Sequence, residues 1–156
     1  MALKQSPVST RKLAQPVAYA AGQRVTAVIP IDITAAGIGA ITAASDKIEV
    51  GYIPAGALLV GAELISEGIG AALTANVGLM TNSGGGEFGA QDNSSAVGTQ
   101  ILSAASINNT AVKAATIGCI NLGRDETKHR AIGLTVSADI AAGSGKRLTL
   151  VLEYVQ

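Results

Sequence analysis

A chain of 156 residues has the length of one domain and buries roughly two-thirds of the surface its unfolded form exposes, so a single core is expected. Eleven basic and eleven acidic side chains cancel, which excludes the overall positive field that draws proteins to nucleic acid or to an anionic membrane. Apolar residues make up 48% of the chain but aromatic ones only 3%, with no tryptophan, so the core must come from Val, Ile, Leu and Ala.

Residues 1–22, MALKQSPVSTRKLAQPVAYAAG, read as an extended N-terminal arm. Pro7 and Pro16 disfavour a helix. The segment carries basic Lys4, Arg11 and Lys12 with no acid, and Leu13, Val17 and Tyr19 are apolar groups that a free arm would leave in water. No apolar run has signal-peptide length or approaches the roughly 18 unbroken residues of a membrane helix. Cytoplasmic synthesis and no membrane association are therefore expected.

Residues 23–156 are expected to form one β domain. The two-residue alternation that turns one side of a strand to the core begins at 24–33, RVTAVIPIDI. Pro30 marks that run as an edge strand or a bulge, because proline cannot donate to the ladder. Further runs follow at 46–53, 57–65 and 74–80, separated by PAG at 54–56 and SEGIG at 66–70. In this pattern Asp32, Glu49, Glu63 and Glu153 read as solvent-facing members of their strands.

Residues 81–100, TNSGGGEFGAQDNSSAVGTQ, are a long polar loop with Phe88, the only phenylalanine, at its middle. Loops of that length in compact domains are usually functional or disordered. A short helix is expected within 94–107 and a strand over 111–120. Beyond GRDETK at 123–128, Ile132, Leu134 and Val136 share one face of a strand. In the last run Leu148, Leu150, Leu152 and Tyr154 share a face, and Val151 and Val155 stand on the other with Thr149 and Glu153. Apolar groups on both faces suggest that one of them takes a partner chain. About seven short strands with Gly-rich turns predict an all-β, antiparallel β-sandwich or jelly-roll-like barrel.

Catalytic chemistry is poorly supplied. The sole histidine, His129, lies between Lys128 and Arg130 and reads as a charged rim residue, and the sole cysteine, Cys119, lies in an apolar run where it acts as a small hydrophobe. One cysteine forms neither an internal disulfide nor a Cys/His zinc set. AAGSGKRL at 141–148 mimics the end of a phosphate-binding loop, but Ile140 stands where the first glycine is required and Arg147 replaces Ser/Thr. The acidic residues are scattered, with no grouping for a metal or a glycosidase pair. No enzyme, cofactor or metal is expected.

The stretches DKIEVGYIPAGALLVGAELIS (46–66), ALTANVGLMTNSGGG (72–86) and AIGLTVSADIAAGSGKRLTLVLEYVQ (131–156) resemble the layout of the small all-β decoration, or cement, proteins of tailed-bacteriophage heads. The resemblance covers roughly half the chain and leaves the arm and most of 81–128 outside. It implies a non-enzymatic virion protein on the capsid surface that binds the major capsid protein, forms a homotrimer and bridges capsomers, without direct contact to nucleic acid. A tail, baseplate or head-fibre protein is the alternative. Candidate partner-binding residues are Lys4, Arg11, Lys12, Leu13, Val17 and Tyr19 of the arm, because an extended segment can add to a neighbour's sheet edge, and Phe88 of the long loop.

Overall fold

The computed structural model describes residues 2–6, 10, 22–83 and 85–156. Ten strands and one short helix follow in the order β1 (Ala2–Gln5), β2 (Arg24–Asp32), β3 (Asp46–Ile53), β4 (Leu58–Glu67), β5 (Thr74–Thr81), β6 (Ala96–Val97), β7 (Leu102–Ser106), β8 (Ala111–Lys113), α1 (Thr116–Ile120), β9 (Arg130–Val136) and β10 (Arg147–Val155). They form two sheets, so the expected all-β sandwich class holds. One sheet has the order β2-β10-β4-β8. The other runs β1-β3-β9-β5, and the far edge of β5 is shared between β7 near its start and β6 at its end.

The core is aliphatic, as the composition requires. Leu148, Leu150, Leu152 and Tyr154 of β10, Ile29 and Ile31 of β2 and Leu59 and Leu64 of β4 meet Ile48, Ile53, Val77, Ile132 and Leu134 of the larger sheet, all fully buried. Each such side chain contributes about 1.5–3 kcal/mol by leaving water. Alternation thus selects the inner face of both sheets.

The outer face of the six-stranded sheet is also buried, and glycine is the reason. Register places Glu49, Gly133 and Gly78 in one row across β3, β9 and β5. A Cβ at Gly133 would lie 2.6 Å from Met80 Cγ, and one at Gly78 would lie 2.3 Å from the Gly98 carbonyl oxygen. The two glycines therefore make a trough into which the chain after β5 folds back. Glu49 lies under the same cover, fully buried, accepting from the Gly89 amide at 2.8 Å and from Gln5 Nε2 at 3.1 Å. The expectation that Glu49 faces solvent fails because the chain itself covers that face.

Three further segments differ from expectation. The strand expected over 111–120 stops at Lys113, and Thr116–Ile120 turns into α1, which buries Cys119 and leaves Ile117 66% and Ile120 41% exposed. The helix expected within 94–107 is instead β6 and β7, because the open edge of β5 supplies backbone partners that a short helix could not match. Residues 2–5, expected within the arm, pair in parallel with β3, and the Ser6 amide continues to the Glu49 carbonyl at 3.0 Å.

Candidate interaction surface

The residues expected to bind partners fall into three groups. Arg11, Lys12, Leu13, Val17 and Tyr19 lie outside the described residues. Lys4 is occupied within the chain: its ammonium stands 3.2 Å from Asp46 Oδ2 and donates to the carbonyls of Ile38, at 3.2 Å, and Ala40. Burial works to raise the Asp46 pKa, but the Thr42 amide and Lys4 outweigh it and hold the carboxyl below its usual value. This pair fastens β1 and the 38–46 segment together.

Phe88 is half-buried against Tyr52, with ring centroids 4.6 Å apart, and Tyr52 in turn meets the ring of His129 at 5.0 Å. The Phe88 amide donates to the His129 carbonyl at 2.8 Å, and His129 Nδ1 accepts from the Ala55 amide at 3.0 Å. His129 is therefore an exposed rim residue with its Nδ1 unprotonated. Burial raises the Tyr52 phenol pKa. Glu49 links the two described candidates, since Gln5 next to Lys4 and Gly89 next to Phe88 both donate to it. The arrangement is a structural clasp and holds no nucleophile with a base. Among the described residues no group of three or more metal-ligating side chains occurs.

Sequence reasoning located the most open surface only through Val151 and Val155. It is the outer face of the four-stranded sheet. Across it, Thr149 stands between Pro30 and Ile65, and Val151 between Val28 and Glu63, with Lys113 beyond. Val28 is 58% exposed. Charges bound the apolar rows: Arg147 Nε donates to Asp32 Oδ1 at 2.6 Å at one end, and Arg24 pairs with Glu153 at the other. The Asp32 carboxylate raises the Arg147 pKa. A groove of about 170 Å³ between Val151, Glu153 and Lys113 opens beside Thr116, the first residue of α1. Exposed Ile117 follows directly. The signal for α1 was present in the glycine of TIGCI, whose small size lets the turn approach the Gln100 carbonyl.

No family model and no curated protein matches the chain. Among solved structures it is similar to a chain in the capsid of Ralstonia phage GP4, with a TM-score of 0.83 and 26% identity over 99% of this chain and 98% of that one. It is also similar, in fold, to a chain of the cyanophage Pam1 capsid asymmetric unit, with a TM-score of 0.58 and 20% identity over 92% and 91% of the two chains. These matches support a phage virion structural protein.

Proposed function

We propose that the protein is a decoration, or cement, protein that sits on the outside of a phage head, binds the major capsid protein and bridges capsomers as a homotrimer. The observation that carries this reading is the likeness to a capsid chain of Ralstonia phage GP4 over nearly the whole of both chains. The physical character agrees with it. An aliphatic sandwich with a charge-neutral surface and no assembled reactive groups is suited to rigid bridging.

Binding in this reading uses the outer face of the four-stranded sheet, where Val28, Val151 and Ile117 offer apolar contact beside paired charges. The exposed ion pairs add about 1 kcal/mol or less each, so apolar contact and repetition over many copies supply most of the affinity. The proposed arm contacts, Leu13, Val17 and Tyr19, add to this as a segment that orders on binding. The test is to locate and count the chain on purified particles by cryo-electron microscopy. Many copies on the outer capsid surface are expected; a few copies confined to the tail would replace the cement role with a tail one. Deleting residues 2–20 is expected to lower occupancy on the particle, and undiminished occupancy would remove the arm from the mechanism.

A further inference from the structure

Strand β2 is an edge whose open side can be assigned residue by residue. Register pairs β2 with β10 alone, from Arg147 opposite Asp32 to Val155 opposite Arg24. The Ile33 amide donates to the Lys146 carbonyl at 2.9 Å, which continues the same register by one residue. In an antiparallel ladder the bonded pairs alternate, so Ile31, Ile29 and Ala27 aim their backbone groups at β10. Pro30, Val28 and Thr26 aim theirs away from the sheet. Beyond Pro30 the edge is closed, because the outward carbonyl of Asp32 accepts from the Ile38 amide at 3.0 Å. Between Arg24 and Pro30 no other described strand pairs with it.

We propose that this edge pairs with the same edge of a second copy, antiparallel about a twofold axis through Val28. In that register the two Val28 residues exchange both backbone bonds and their exposed side chains meet. Thr26 lies opposite the second copy's Pro30 and donates to its carbonyl, so the missing proline donor costs one bond per copy. Arg24 lies opposite the second copy's Asp32, which sets unlike charges together at both ends. Centring on Pro30 would place two donorless residues opposite each other. Centring on Thr26 or Ala27 would set Arg24 against Val28 or Pro30 and leave no charge pair. The occupant is thus a second copy of this chain, and the joined β2 strands extend one sheet through two molecules.

A few residues per chain bury less than the area of a stable complex, so the contact gains strength where copies are already held side by side. The inference does not rest on the capsid reading and is tested on the free protein. In Val28→Cys the paired Cα atoms stand about 5.5 Å apart, within disulfide range. In Thr26→Cys the two thiols are four positions apart along the strands, about 13 Å. Both sites are exposed and Cys119 is buried, so the fold and the background thiol are unchanged by design. Under mild oxidation of concentrated protein, with folding checked by circular dichroism, Val28→Cys is expected to give at least about tenfold more disulfide dimer than Thr26→Cys. Dimer from both variants alike, from Thr26→Cys alone, or from neither, overturns the proposal.

Discussion

The two sheets share one pattern and end in opposite environments. Both place Ile, Leu and Val on the inner face at a two-residue period, but the outer rows differ. In the six-stranded sheet the outer row reads Glu49, Gly133, Gly78, and the chain after β5 settles onto it. In the four-stranded sheet the outer rows read Val28, Val151, Glu63 and Pro30, Thr149, Ile65, and among the described residues no strand covers them. Glycine on the second face makes room for the chain's own loop, whereas branched apolar residues among charges leave a face that is soluble alone and still adhesive.

The covered sheet should be the more sensitive to change. Gly78→Ala, whose Cβ meets a backbone carbonyl that cannot rotate away, is expected to cost about 2–3 kcal/mol in chemical denaturation. Gly133→Ala meets the side-chain ends of Met80 and Val97, which can shift, and should cost about half as much. Equal losses would show that the 97–100 segment moves as freely as a side chain.

Arg130 closes the start of β9 by donating to the carbonyls of Leu122 and Gly123, each at 2.7 Å. Arg130→Met keeps the stem but strips both acceptors, and a loss of about 2 kcal/mol in the same assay is expected. A neutral result would mean that water replaces the guanidinium there.

The Lys4–Asp46 pair at the edge of the covered sheet should appear as a pH dependence. The Asp46 pKa is lowered in the folded protein from 3.8, so its stabilisation is fully present above that value and is lost as pH falls through the lower folded one. Wild type and Asp46→Asn should therefore differ by a constant amount at neutral pH and converge in acid. A difference that persists unchanged below the folded pKa would assign the effect to packing instead.

The open sheet should show the smallest stability changes. Val28→Asp and Ile117→Gln lie on exposed positions and are expected to alter stability by no more than about 0.5 kcal/mol. Their effect should appear as reduced occupancy on particles, and unchanged occupancy for both would move the docking surface elsewhere.

Strands β2, β3, β4, β5, β9 and β10 were legible because a buried inner face forces alternation at each of them. So was the aliphatic core, since few other apolar residues are present. What α1, β6 and β7 become was not legible, because Ala-, Ser- and Gly-rich stretches carry little preference of their own and the open edge of β5 or the space beside β4 decides for them. For the same reason Glu49 read as exposed: alternation states that it faces away from the core, and says nothing of a loop arriving on that side. Lys4 and Phe88 stood out as charge and aromatic ring, yet their roles depend on Asp46 and Tyr52, which lie 42 and 36 positions away. By itself the sequence determined the class of fold and the inner faces, through periodicity acting on neighbouring residues. Only the tertiary structure decided which outer face is closed and which remains open, because that depends on contacts between segments far apart in the chain.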